Sequence, residues 1–134
     1  MDGRGVRLTT TELSDGRHGF MFQFLANLFK SPFDSVDVET YERDYYQQKN
    51  HVLIDVRTAG EFKSGHIPGA RNIPLNQLSD KLDKIPTNKP VIVVCRSGNR
   101  SGSACHTLTK AGYDNVINLR GGTMRWQMAG NAVE

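Results

Sequence analysis

One stretch of sequence decides the fold: Val91-Ile92-Val93-Val94-Cys95-Arg96-Ser97-Gly98-Asn99-Arg100-Ser101. Its first four residues are all branched and apolar, so both faces of a strand formed by them would be apolar. This is typical of a strand buried within a parallel sheet. A helix is predicted over residues 101–111, because apolar residues recur there on one helical face. The residues between Val94 and Ser101 therefore form a short loop at the carboxyl end of a buried strand, which is where open α/β sheets bind their ligands.

The same alternation of strands and helices recurs on both sides of this stretch. Residues 52–56 are a second short apolar run, and Thr58 and Glu61 have the spacing of a capping box that begins a helix. Val116–Leu119 predicts another strand, and the helix after it carries Trp126, which we expect in the core. Further helical patterns carry Val38, Tyr41 and Tyr45 after the capping residue Asp37, and Leu75, Leu78 and Leu82. The sequence predicts an α/β domain with a mostly parallel sheet and helices on both of its faces.

The amino-terminal residues depart from this pattern. Residues 1–19 show no hydrophobic period and are predicted to be a disordered leader or an artificial extension. Residues 20–33 carry apolar side chains at three- and four-residue steps, so they predict a helix, which Pro32 ends. That helix either packs on the domain or on a second copy of the chain, as a homodimer through residues 20–30, or binds a membrane surface or a partner. Residues 34–134 form the α/β domain.

Composition and charge exclude several classes of protein. Lys and Arg number 17 against 14 Asp and Glu, and the net charge of +3 is spread along the chain, so nucleic-acid binding is not predicted. No apolar run approaches the roughly 18 residues of a membrane span. Cys95 and Cys105 make no disulfide framework and cannot supply four zinc ligands, so we expect a cytoplasmic protein without metal or cofactor. Cys105 lies on the apolar side of its helix, which favours core packing; a resolving role or a disulfide with Cys95 is the alternative.

Cys95 has the surroundings of a reactive cysteine. Loop amides can turn inward as an anion nest, the helix N-terminus adds about half a positive charge, and Arg96 and Arg100 add two whole charges. Because this field favours the thiolate, the pKa of Cys95 is expected to lie below about 8.5. Gly98 permits a backbone conformation that a side chain would resist. A thiolate in an anion cradle suits a covalent persulfide. The cradle is formed by Arg96, Ser97, Gly98, Asn99, Arg100 and Ser101.

Three charged or titratable residues near the strand ends have two interpretations each. Asp55 and Arg57 end a buried strand near the same pocket, where a charged side chain needs a partner. Either they fix the loop from behind, or they form a plain salt bridge, for example between Arg57 and Glu61. His66 lies in a turn, and a thiolate of low pKa needs no general base, so a structural role is favoured over a catalytic one.

Several motifs occur in an order that resembles the single-domain rhodaneses, a family of sulfurtransferases. The motifs are Leu53-Ile54-Asp55-Val56-Arg57 followed by Glu61-Phe62, then Gly65-His66-Ile67-Pro68-Gly69-Ala70, the Cys95 loop, and Gly121-Gly122 with Trp126 and Ala129-Gly130. The resemblance covers residues 35–130. It implies a five-stranded sheet flanked by helices, with Cys95 as the persulfide carrier and residues 96–101 as the substrate cradle.

The length of the loop separates this chain from a related class of site. Cysteine phosphatases and arsenate reductases of similar fold carry five residues between the cysteine and the arginine. Here four residues separate Cys95 from Arg100. Phosphate and arsenate are larger than one sulfur atom and need the wider loop. A loop with four residues between the cysteine and the arginine therefore favours a site that transfers sulfur.

The sequence leads to one predicted activity and two alternatives. The prediction is a thiosulfate-type sulfurtransferase, in which Arg96 and Arg100 bind the sulfonate of the donor, Cys95 takes its outer sulfur, and a thiol or cyanide accepts it. The first alternative is a sulfur-relay or protein-binding module that exchanges sulfur with a partner protein and docks through the segment 20–30. The second is a redox sensor that uses the reactive thiolate.

Overall fold

The computed structural model describes residues 32–134, which contain a five-stranded sheet. The strand order is β1-β5-β4-β2-β3, and every pairing among these strands is parallel. The strands are β1 Asp34–Val36, β2 Val52–Asp55, β3 Arg71–Asn72, β4 Val91–Val94 and β5 Val116–Leu119. Because β4 lies at the centre of the order, the residue that follows it emerges in the middle of the carboxyl edge of the sheet.

Helices connect the strands, and the first two begin at the predicted capping residues. They are α1 Val38–Tyr41, which continues as a π-helix over Glu42–Tyr46, then α2 Ala59–Ser64, a 3₁₀ helix Leu75–Lys84, α3 Asn99–Lys110 and α4 Gly122–Met128. The carboxylate of Asp37 accepts a hydrogen bond from the amide of Thr40 at 2.7 Å and so caps α1. Thr58 and Glu61 form the predicted capping box at the start of α2.

Both faces of the sheet are buried, as the apolar run of β4 predicts. Val91 and Val93 pack into a core on the α3 side, whereas Ile92 and Val94 pack into a second core that includes Trp126 of α4. Fully burying one side chain of this kind stabilises the fold by about 1.5–3 kcal/mol. Burial on both faces thus holds β4 rigidly at the centre and fixes the position of the loop that follows it.

The fold class agrees with the prediction, and the structure adds two strands that the hydrophobic pattern did not indicate. These are β1 and β3, which lie at the two edges of the sheet. Helix α3 begins at Asn99 rather than at Ser101, so the loop after Cys95 is shorter than expected. The predictions for the leader, for most of the apolar helix and for the dimer interface fall on residues 1–31, outside the described residues.

None of the helices between Pro32 and Glu134 has the length and apolar character that a bilayer crossing requires.

Candidate active site

Cys95 follows β4 directly and opens the loop that leads to α3. It is only 1% exposed. Its Sγ accepts a hydrogen bond from the amide of Gly98 at 3.1 Å. Gly98 precedes α3 and has a φ of +115°, a backbone conformation that a residue with a Cβ rarely adopts. The loop therefore turns back on its own cysteine and presents an amide to the sulfur, which is the geometry of an anion nest.

The pKa of the Cys95 thiol lies below its ordinary value. Burial raises the pKa, because it removes water from the thiolate. Hydrogen bonds from the hydroxyl and amide of Ser101 and from the amides of Gly98 and Ser97 lower the pKa by more than burial raises it. The direction agrees with the expectation from the sequence. The favourable causes are hydrogen bonds, which include the inward-facing loop amides that the sequence predicts; the hydroxyl of Ser101 is an additional donor.

Asn118 of β5 supports the loop, and sequence reasoning missed it. Its Nδ2 donates to the carbonyl oxygen of Gly98 at 3.3 Å. Its Oδ1 accepts from the hydroxyl of Ser101 at 2.6 Å. Ser101 has one hydroxyl proton, so it serves either Asn118 or the thiolate at any moment. The signal in the sequence was a polar side chain within an otherwise apolar strand, since such a side chain needs a hydrogen-bond partner.

The first turn of α4 holds the carbonyl groups of the loop. The amide of Thr123 donates to the carbonyl of Cys95 at 2.9 Å, and the amide of Met124 donates to the carbonyl of Arg96 at 3.1 Å. Gly122 makes this approach possible, because a Cβ at that position would collide with both carbonyl oxygens. With its first two carbonyls bound to α4, the loop keeps its following amides available to Sγ. Sequence reasoning quoted Gly122 in a motif but assigned it no contact with the loop.

The two arginines of the loop differ in their surroundings. Arg100 forms a bidentate ion pair with Glu61 of α2, with N–O distances of 2.7 and 2.9 Å. The suggested pairing of Arg57 with Glu61 is therefore wrong, since Arg100 occupies both carboxylate oxygens. Arg96 is exposed, and its side chain forms no hydrogen bond with any residue from 32 to 134. Within that range, the charge of Arg96 is uncompensated, whereas Glu61 compensates the charge of Arg100, which keeps its remaining N–H groups for other acceptors.

Asp55 and Arg57 bind each other beside the loop. Both are buried, and the guanidinium of Arg57 donates to both carboxylate oxygens of Asp55, at 2.8 Å for the shortest bond. The same guanidinium donates to the carbonyl of Gly65 at 2.8 Å, at the end of α2. The pair thereby anchors α2, which carries Glu61, to the end of β2. Its link to the Cys95 loop is indirect, through the ion pair of Glu61 with Arg100.

Cys105 and His66 have structural surroundings. Cys105 is fully buried in the core on the α3 side, and burial raises its pKa to about 12. Both cysteines are free. The ring of His66 stacks on the ring of Phe62, and its Nδ1 lies 2.8 Å from the carbonyl oxygen of Phe62. These contacts favour the structural interpretation of both residues.

Replacing Ser101 with alanine is expected to raise the pKa of Cys95, because the leading favourable hydrogen bond to the thiolate is lost. The rate of alkylation by iodoacetamide follows the thiolate fraction. The variant should therefore react more slowly at neutral pH, with the midpoint of its pH profile moved to higher pH. Ser97→Ala is the matched control, since Ser97 acts through its amide, which alanine keeps. Equal midpoints for Ser101→Ala and the parent chain would contradict this assignment.

Comparison with known proteins identifies relatives of this chain. The family model described as "Rhodanese-like domain" matches residues 37–129. The chain is 51% identical over 74 residues to the uncharacterized protein YqhL of Bacillus subtilis, an alignment that covers 55% of this chain and 59% of YqhL. It is 35% identical over 97 residues to a sulfurtransferase of Allochromatium vinosum, covering 72% of this chain and 91% of that protein.

Solved structures agree with the sequence comparisons. The crystal structure of a rhodanese-related protein from Thermoplasma volcanium superposes with a TM-score of 0.69 at 29% sequence identity, covering 76% of this chain and 98% of that one. The family model spans most of the described residues and includes every element from α1 to α4. The chain therefore belongs to the family of rhodanese-like domains.

Proposed function

We propose that this chain is a sulfurtransferase that carries sulfur as a persulfide on Cys95. The observation that carries the proposal is the buried Sγ that accepts a hydrogen bond from the loop amide of Gly98. Relatives whose names state this activity support it, among them the sulfurtransferase of A. vinosum and a thiosulfate sulfurtransferase, GlpE, of Pseudomonas savastanoi.

The proposed donor is thiosulfate, and the first step is a displacement at its outer sulfur. The Cys95 thiolate attacks that sulfur and a new S–S bond forms. The bond between the two donor sulfurs breaks, and sulfite leaves with its electron pair. The products are Cys95–S–S⁻ and sulfite, so the total charge is conserved and no oxidant is needed. Formation of a covalent intermediate divides one transfer between two anions into two simpler displacements.

The residues of the loop lower the electrostatic cost of this step. A thiolate and a dianion repel each other, so the donor needs positive partners close to Sγ. The amides that lower the pKa of Cys95 supply part of this field, and they also fit the anionic terminal sulfur of the persulfide. Arg96 is exposed beside them and is suited to the sulfonate oxygens of the donor through charge-assisted hydrogen bonds.

The second step returns Cys95 to its starting state. A thiolate or cyanide attacks the terminal sulfur of the persulfide, the S–S bond to Cys95 breaks, and a new persulfide or thiocyanate leaves. The same step can deliver sulfur to a protein thiol. A relative named as a putative sulfur carrier protein, YrkF of B. subtilis, supports the second candidate function, a relay module that exchanges sulfur with a partner protein.

Intact mass spectrometry tests the covalent intermediate directly. After incubation with thiosulfate and removal of excess reagent, the protein is expected to gain the mass of one sulfur atom. Cyanide should remove that mass and release thiocyanate. Peptide mapping should place the added sulfur on Cys95, and Cys105 should remain unmodified, because its pKa of about 12 leaves almost no thiolate to attack the donor.

The outcomes separate the two candidate functions. Rapid turnover of thiosulfate and cyanide supports the enzyme. A stable persulfide with slow turnover, discharged quickly by a protein thiol, supports the relay module. Absence of added sulfur on Cys95 with any donor would overturn both.

A further inference from the structure

Glu61 binds Arg100, the second arginine of the candidate active-site loop, through both oxygens of its carboxylate. Both carboxylate oxygens accept hydrogen bonds from Arg100, at 2.7 and 2.9 Å. The oxygen Oε1 also accepts from the amide and hydroxyl of Thr58 in the capping box. Hydrogen bonds from Arg100, and next from the Thr58 amide, hold the pKa of Glu61 at about 2, so its carboxylate is charged at any working pH.

This contact changes the charge that the loop offers to a donor. Helix α2 presents the carboxylate, and the second residue of α3 presents the guanidinium, so the two charges compensate each other at the edge of the site. Arg96 remains exposed and, among residues 32–134, uncompensated by any side-chain contact. The described part of the site therefore combines loop amides with one side-chain cation that no carboxylate compensates, although the loop sequence contains two cations.

We propose that Glu61 tunes the charge selectivity of the site: by pairing with Arg100, it lowers the preference for the doubly charged thiosulfate relative to singly charged sulfur donors, such as thiosulfonates. The proposal rests on the sulfurtransferase function proposed above and identifies a selectivity-determining residue for it. Glu61 acts through Arg100 and is not itself a reacting group.

The physical reason is the dependence of Coulomb energy on charge. A fixed charge near the donor acts twice as strongly on a dianion as on a monoanion at the same place. The negative charge of Glu61 therefore disfavours thiosulfate more than it disfavours a thiosulfonate. Both donors transfer the same kind of sulfur: the thiolate attacks the outer sulfur of R–SO₂–S⁻, the donor S–S bond breaks, and the sulfinate R–SO₂⁻ leaves in place of sulfite.

The variant Glu61→Gln tests the proposal with little change in shape. A glutamine amide oxygen still completes the capping box, so α2 keeps its first turn. We expect the ratio of kcat/KM for thiosulfate to kcat/KM for methanethiosulfonate to rise by about fivefold, mainly through a lower KM for thiosulfate. The rise should shrink in high salt, because the ion pair is partly exposed.

Glu39→Gln is the matched control for the loss of one negative charge. Glu39 forms a salt bridge with Arg125 of α4 at 2.9 Å, and that pair is more exposed than the pair of Glu61 with Arg100. This variant should leave the donor ratio within about twofold of the parent value, since an exposed surface charge has little effect.

Alkylation gives a second readout that needs no sulfur transfer. Iodoacetate is an anion and iodoacetamide is neutral, and both react with the same Cys95 thiolate. The ratio of their rates therefore cancels any change in the pKa of Cys95 and reports the local charge. Glu61→Gln should raise this ratio severalfold, and Glu39→Gln should not.

The outcomes distinguish this proposal from the proposed function. If both ratios for Glu61→Gln stay within twofold of the parent chain, or if Glu39→Gln changes them equally, the role of Glu61 is overturned. If neither donor supports transfer by the parent chain, the proposed function is overturned, and the alkylation ratio then decides the role of Glu61 by itself.

Discussion

Cys95→Ser is expected to abolish sulfur transfer, with a loss of about 10⁴-fold or more in turnover. Two losses combine in this variant. A serine hydroxyl stays protonated at neutral pH, so the hydrogen bonds that lower the pKa of the Cys95 thiol have no anion to stabilise. Serine also cannot carry the sulfur as a persulfide. Steady-state release of thiocyanate from thiosulfate and cyanide measures the loss of turnover, and intact mass measures the loss of the persulfide.

The matched control is Cys105→Ala. Cys105 is fully buried, and its pKa of about 12 leaves almost no thiolate at neutral pH. Its loss should cost some stability through the small cavity that it leaves, while persulfide formation on Cys95 stays intact. A Cys95→Ser variant that keeps its turnover, beside a Cys105→Ala variant that loses it, would contradict the assignment of the carrier.

The central strands could be predicted because their signal is local. β2, β4 and β5 are buried by the helices that cover the sheet, so each appears as a short apolar run in the sequence. β1 and β3 carry no such run: Asp34–Val36 is mostly exposed, and Arg71–Asn72 is only two residues long. Their extended form depends on pairing with β5 and β2, which are distant along the chain, and no local pattern reports that pairing.

The same distinction applies to the site. The loop from Cys95 to Ser101 is contiguous, so its amides, its glycine and its position before a helix were all readable from the sequence. The ion pair of Arg100 with Glu61 joins residues 39 positions apart, and the bond of Ser101 with Asn118 joins residues 17 positions apart. Glu61 was predicted as part of a cap and Arg100 as an anion-binding group. Only the structure shows that the carboxylate of Glu61 accepts hydrogen bonds from Thr58 in the cap and from Arg100 in the loop.

Gly122→Ala is the second large effect that we expect, and it acts on the loop from outside. Gly122 has a φ of +62°, and an added methyl group would collide with the carbonyl oxygens of Cys95 and Arg96. The left-handed backbone costs about 1–2 kcal/mol for a residue with a Cβ, and forcing the two segments apart costs about 1–3 kcal/mol more. Chemical denaturation should therefore show a loss of about 2–5 kcal/mol, together with a loss of persulfide formation.

Gly112→Ala separates these two causes. Gly112 also has a left-handed φ, of +101°, but an added Cβ there meets no atom within 4 Å. Its variant should lose only about 1–2 kcal/mol and should form the persulfide normally. If the two variants are equally stable and equally active, the contact of α4 with the carbonyls of the loop is not what positions Cys95. If Gly122→Ala loses both the larger amount of stability and persulfide formation while Gly112→Ala does not, the loop amides reach Sγ because α4 binds the loop carbonyls and holds them away from Sγ.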